Sequence, residues 1–354
     1  MELLSIFLLS LIGLLQMNDT TEVAFVGDAM QHGPQIQAAR ANGSYDYSNC
    51  FELLENDIRN ANYAVANLEC PLGGEPYRGY PLFSAPDEFA RQLKRSGFDM
   101  LITANNHCMD CGSRGVLRTI SVLDTLGIAH VGTYSDGIDR VSRLPNIVDV
   151  NGIKMAFLAY TYGTNGIIPK APVVVDLIKK ERITEDVRNA RQAGAEMVCA
   201  CMHWGNEYEM LPSAYQREMA AFLKTIGVDM IIGSHPHVVQ PMELDYMAGK
   251  GTGNLLVYSL GNFISNQNDL NSRGGAMVKV QLAKYDDIPV ILDVKPILFF
   301  CQKPNANDRN YRLIPQNLGD SVRVESKKVF EQFMRNATDL FKRKNKNINI
   351  TTIQ

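Results

Sequence analysis

This sequence has no excess of positive charge, almost no long apolar run, and an odd number of cysteines. Lys and Arg number 35 against 38 Asp and Glu, a formal net charge of −3. No basic face is implied, so nucleic acid is not expected as a partner. The short basic run Lys342–Lys346 reads as a solvated tail. The one long apolar stretch is Leu3–Leu15, free of charge. It is too short to cross a bilayer, which takes roughly 20 apolar residues, and it has the character of an export signal's apolar core. Glu2 stands where a basic residue is usual, and no small-x-small cleavage site precedes Asn18. An uncleaved anchor is therefore the alternative to a cleaved leader, and residues 1–17 are set apart on this ground. The expected location is exported: periplasmic or at the cell surface. Seven cysteines, an odd number, argue against a full disulfide framework. Cys199 and Cys201 alternate on an apolar run and read as buried thiols. Cys108-Met-Asp-Cys111 leaves three readings open: plain loop thiols, a disulfide, or a thiolate near a metal.

Apolar residues are plentiful at 45%, enough for a sizeable core. Strand-like and helix-like segments alternate from Glu22 to Ile232, the pattern of an α/β fold. Strands are expected at 22–27, 63–67, 99–104, 128–131, 154–161, 197–202 and 229–232. Helices are expected at 51–60, 88–96, 115–126, 184–193 and 213–226. From about residue 238 the helices stop. Strands then follow at 238–244, 254–259, 276–282 and 290–300, which suggests a second sheet packed on the first. One domain over 22–300 is expected, with a C-terminal extension over 301–354 that is helical around 324–341 and packed on the outside.

Polar residues cluster at the carboxyl ends of these strands, where open α/β sheets assemble their sites. Asp28 follows the first. Asn67 and Glu69 end the second, and Asn106 and His107 follow the third. His203 ends another, and His235-Pro-His237 ends the last. The chain has only six histidines, and four of them lie in these motifs. His32 falls four residues after Asp28. Two histidines around one Pro, at a strand end, favour metal binding over a structural role. Carboxylate, amide and imidazole, without thiolate, suit one or two divalent transition ions such as Mn, Zn or Fe. A carboxylate can bridge two such ions, and an ion pair can clamp a displacement at phosphorus or carbon.

Gly27-Asp28, Asn67-Leu-Glu69, Asn105-Asn106-His107, His203-Trp-Gly and Gly233-Ser-His235-Pro-His237, followed by Ser259-Leu-Gly-Asn262-Phe, resemble the CapA family. That family is associated with poly-γ-glutamate capsule synthesis and export, within the calcineurin-like metallophosphoesterase superfamily. The resemblance spans residues 22 to about 265 in order and spacing. It implies a four-layer α/β/β/α sandwich of two mixed sheets. It implies that Asp28 and His237 hold a first metal, that Glu69 bridges, and that Asn106, His203 and His235 hold a second. His107 would be the catalytic residue that protonates a leaving group or stabilises the transition state. Two departures stand out. Met30 replaces the imidazole of the superfamily's Asp-x-His motif, and a thioether is a poor ligand for such ions. Asn67-Leu-Glu69 replaces the second motif's Gly-Asp. His32, Asn67 and Asn262 are therefore kept as further candidate ligands.

The resemblance implies an exported capsule-synthesis protein with a metal-dependent, phosphoesterase-like hydrolase site. Its substrate would be an anionic surface polymer or a phosphoester. The alternative is a non-catalytic, metal-binding component of an envelope assembly complex. A cytoplasmic nucleotidase would require the leader to be a folded core helix instead.

Overall fold

The protein is described by a computed structural model over residues 20–246, 253–306 and 308–350; the leader expected at 1–17 lies outside the described residues. The chain begins with β1 (Thr21–Ala29), α1 (Gly33–Ala39), a small ribbon of β2 (Arg40–Ala41) and β3 (Ser44–Tyr45), and α2 (Glu55–Arg59). It continues through β4 (Tyr63–Leu68), α3 (Asp87–Arg95), β5 (Met100–Ile102), α4 (Gly112–Leu126) and β6 (Ala129–Val131). Next come β7 (Thr133–Tyr134), α5 (Gly137–Arg143), β8 (Asn146–Val150), β9 (Ile153–Thr161), β10 (Val174–Val175) and α6 (Lys180–Gln192). Then follow β11 (Met197–His203), α7 (Ala214–Thr225), β12 (Met230–Ser234), β13 (Met242–Tyr246) and β14 (Gly253–Val257). The last elements are β15 (Asn262–Ile264), β16 (Gly274–Tyr285), β17 (Ile288–Gln302), β18 (Arg312–Pro315) and α8 (Val324–Lys344).

Two mixed sheets result. One runs β18-β17-β16-β1-β4-β5-β6, with β15 joined to β1; the other runs β13-β14-β12-β11-β9-β8. Their centres are parallel: β1, β4, β5 and β6 in the first, β9, β11, β12 and β14 in the second. Parallel strands are covered on both faces and read as near-continuous apolar runs, as in Val23–Val26 and Met197–Met202. Period-two geometry then divides each strand between two layers. Phe25 and Val65 face Phe157 and Cys199 across the space between the sheets. Val26 and Leu68 face outward with Phe89, Leu93 and Leu123 of the first helical layer. Leu158 and Ile231 pack outward with Ile183, Val187 and Leu223 of α6 and α7. The four-layer α/β/β/α sandwich is thus the observed architecture.

The late strands do not form a second sheet of their own. β16 pairs antiparallel with β1, β17 with β16 and β18 with β17, so all three extend the first sheet. The second sheet is built from the middle of the chain. The reason lies at β1, whose long, buried edge offers a ladder that β16 fills over five register pairs, from Thr21↔Leu282 to Phe25↔Val278. The C-terminal helix also differs from expectation. Phe330, Phe333, Met334, Ala337 and Phe341 of α8 join the inter-sheet core, with Phe300 of β17 against Phe330 and Phe333.

Candidate metal centre

The carboxyl ends of the parallel strands of both sheets meet at one point. Asp28 lies near the end of β1, Glu69 directly after β4, and Asn106 and His107 in the turn after β5. His203 is the last residue of β11, and His235 and His237 follow β12. Asp28 and Glu69 are fully buried, and Asn67, Asn106, His107, His203, His235 and His237 are at most 5% exposed. Gly27 is what lets β1 enter this point. A Cβ there would sit 1.9 Å from the Gly261 carbonyl oxygen, and the register of β1 on β4 shifts between Val26 and Asp28. Asp28 N–H donates to that same carbonyl at 3.0 Å, which sets Asp28 opposite both Asn67 and Asn262.

Asp28 accepts a hydrogen bond from Asn67 Nδ2 at 2.7 Å and lies 3.2 Å from His237 Nδ1. His237 Nδ1 is also 3.0 Å from Asn262 Oδ1. Glu69 Oε1 stands 3.6 Å from His203 Nε2 and 3.8 Å from His237 Nε2. His203 Nε2 lies 2.9 Å from Asn106 Oδ1. Among the described residues, two groups have ligand atoms close enough to share a cation: Glu69 with His235 and His237, and Asp28 with Glu69 and His203. Glu69 belongs to both, the position a bridging carboxylate would take. His235 and His237 do not continue the strand. Their φ values are +98° and +60°, in the left-handed region that non-glycine residues rarely adopt, and strain of this kind concentrates at functional sites.

The residues fit a divalent cation. Both Glu69 carboxylate oxygens, Asn67 Oδ1 and His235 Nδ1 are buried without a hydrogen-bond partner among the described residues. Such atoms are costly to leave unpaired, and all four are donors a divalent ion accepts. Burial, then the Asp28 charge, raises the Glu69 carboxyl well above its ordinary range. For Asp28, burial acts upward but is outweighed by His237 and by the Asn67 amide, and its carboxyl titrates low. Burial holds His203 well below the usual imidazole range and His235 down at about 3, with neighbouring histidines adding to both. The imidazoles of His203 and His235 are thus neutral near pH 7, the form that binds metal.

The other sequence candidates separate here. His32 is the N-cap residue of α1, its backbone N–H donating to Gln35 Oε1 at 2.8 Å, and its Nδ1 accepts from the Asn266 N–H at 3.3 Å. Met30 is buried in the apolar cluster between the first sheet and its helices. Trp204 is fully buried against α6 and α7, its indole N–H donating to the Tyr258 carbonyl at 3.0 Å; it is a core residue. Cys108 is buried and Cys111 is partly exposed, both as free thiols.

Sequence reasoning missed two contributors. Asp110 accepts from His107 Nδ1 at 2.8 Å and from the Phe83 N–H at 2.7 Å, which fixes the ring and leaves Nε2 free. Its spacing three residues after His107 was the available signal, obscured by the cysteines around it. Tyr162, the residue after β9, is 45% exposed and holds its ring centroid 4.6 Å from that of His235, tilted by 45°. The end of β9 carries no carboxylate or imidazole, so nothing in the sequence marked it.

A four-layer sandwich of two mixed sheets, its strand ends converging on carboxylates, an amide and imidazoles, defines the metallophosphoesterase class of fold. Within that class the chain belongs to the family described as bacterial capsule synthesis protein PGA_cap, whose model matches residues 22–267. It is 29% identical over 295 residues to the capsule biosynthesis protein CapA of Bacillus anthracis, covering 79% of this chain and 68% of that protein. It is 28% identical over 289 residues to the PGA biosynthesis protein CapA of Bacillus subtilis strain 168, covering 75% and 69%. Among solved structures it is similar to the NAD nucleotidase of Haemophilus influenzae, with a TM-score of 0.52 and 13% identity. That match covers 95% of this chain but only 64% of the neighbour, less than two thirds of its length, and it bears on the fold alone.

Proposed function

We propose that this protein is an exported component of capsule or poly-γ-glutamate synthesis with a metal-dependent hydrolase site of the phosphoesterase type. Glu69 carries the reading: its carboxylate is fully buried, both oxygens lack a hydrogen-bond partner among the described residues, and it lies between Asp28 and the imidazoles of His203 and His237. Asp28, Glu69, Asn106, His203, His235 and His237 would hold one or two divalent ions. An ion there supplies Lewis acidity toward a phosphoryl or carbonyl oxygen. Asp110 keeps the His107 proton on Nδ1, and Nε2 is then the atom that exchanges a proton with a leaving group. Burial of the whole cluster excludes bulk water and strengthens every charge contact within it. The relatives' names, which speak of capsule and PGA biosynthesis, support an anionic surface polymer as substrate, the metal-ligand cluster is compatible with a phosphoester, and the apolar run Leu3–Leu15 supports an exported location.

Elemental analysis of the purified protein, with a phosphodiester assay in added Mn, tests this. Wild-type protein is expected to hold metal and turn over the ester, and Glu69→Gln to lose both. Metal-free, inactive protein of intact fold would sink the reading. A second reading, a non-catalytic metal-binding component of an envelope complex, has one observation in its favour. Position 30 gives no imidazole, and Met30 packs into the core. Bound metal without turnover on any ester supports that alternative.

A further inference from the structure

Asn106 can serve a cation only through its amide oxygen, because its NH2 end carries two donors and no lone pair to give. Its oxygen and nitrogen ends are nearly the same in shape, so something beyond shape must choose which end faces the cluster. Oδ1 faces it, 2.9 Å from His203 Nε2. The other end, Nδ2, donates to Asn165 Oδ1 at 3.3 Å. The His107 Nδ1–H is already given to Asp110 at 2.8 Å, so of the Asn106–His107 pair it is the Asn106 amide that Asn165 holds.

Asn165 sits in the turn after β9 with φ +48°, a conformation that asparagine tolerates better than most residues. The residue is exposed, yet its side-chain oxygen reaches inward to the buried Asn106 amide. The turn is tied down on both sides. Thr161 Oγ1 donates to the Gly163 carbonyl at 2.9 Å, and Thr164 Oγ1 to the Ile167 carbonyl at 2.8 Å. Tyr162 N–H donates to the carbonyl of His203 itself at 3.0 Å. The turn that carries Asn165 is therefore fixed to the residue whose Nε2 shares a focus with Asn106 Oδ1.

We propose that Asn165 is a positioning residue of the metal centre: its acceptor oxygen holds the Asn106 amide with Oδ1 aimed at the shared ligand position. The proposal rests on the metal reading above. Groups that orient metal ligands are commonly worth 10–100-fold in affinity.

Manganese(II) titration of the full chain by calorimetry tests it, on wild type, Asn165→Gly and Asn165→Asp. Thermal unfolding of each metal-free protein confirms the fold. Glycine keeps the positive φ and removes the acceptor; aspartate keeps the acceptor. Asn165→Gly is expected to bind manganese roughly 10–100-fold more weakly, with Asn165→Asp within about threefold of wild type. Asn165→Gly binding like wild type, or Asn165→Asp as weak as Asn165→Gly, overturns the role of Asn165 and leaves the metal reading intact. Wild-type protein that takes up no manganese overturns both.

Discussion

His203 and His235 are imidazoles held neutral by burial, and this ties stability to pH. The folded-state pKa of each lies below the unfolded value of about 6.5. The unfolded chain therefore binds more protons through acid, and stability is fully present above pH 6.5 and lost as pH falls toward 3. Urea denaturation of the metal-free protein at pH 7, 5.5 and 4.5 is expected to show declining unfolding free energy, with a shallower decline in His235→Asn. An equal slope in the two proteins would contradict it. The residues that meet at this point were largely legible in advance. Asp28, Glu69, Asn106 and His203 each end a strand, and strand ends converge by topology alone. Asp110 and Asn165 were not legible, because they act through other residues. An Asp three positions along a turn, or an Asn two turns away in another sheet, carries no signal until the backbone brings it near.

At the scale of elements, the approach of β1 to the segment before β15 decides where Asp28 points. Gly27 allows it, and any side chain would overlap the Gly261 carbonyl. Gly27→Ala is expected to cost about 1–3 kcal/mol by overpacking and to displace Asp28. Gly33→Ala, with open space around its Cβ, should stay within about 0.5 kcal/mol. Urea midpoints with unchanged slopes would measure both, and equal midpoints for the two variants would refute the argument. The strands and helices announced by period and punctuation lie within a few residues of where they stand, but α1, α5, β8, β15 and β18 were not announced. Sheet membership was not legible either. The runs at 276–282 and 290–300 announce strands, but only the unfilled edge of β1 says which sheet receives them. The expected strand 238–244 also shrinks to Met242–Tyr246, because the residues after His237 are held in irregular pairing, with Gln240 N–H on the Ser259 carbonyl.

Across the whole molecule, the two sheets share one core, and α8 completes it. Phe333 is 1% exposed and packs in the inter-sheet cluster beside Phe300. Its truncation in Phe333→Ala is expected to cost about 3–5 kcal/mol, a large part of the stability of an ordinary domain. A drop under about 1 kcal/mol in calorimetry would show that the helix merely leans on the sandwich. The sequence shows α8 as an amphipathic helix but not its destination, since an apolar stripe records that a face is covered and not by what. The sole indole of the chain gives this architecture an optical handle. Trp204 is sealed from water and bonded directly to His203 in the chain. Its emission should lie at the blue edge while the sandwich is intact and shift red on unfolding. A paramagnetic ion seated on the neighbouring imidazole would quench it, so the protein reports its own occupancy in light, without a label.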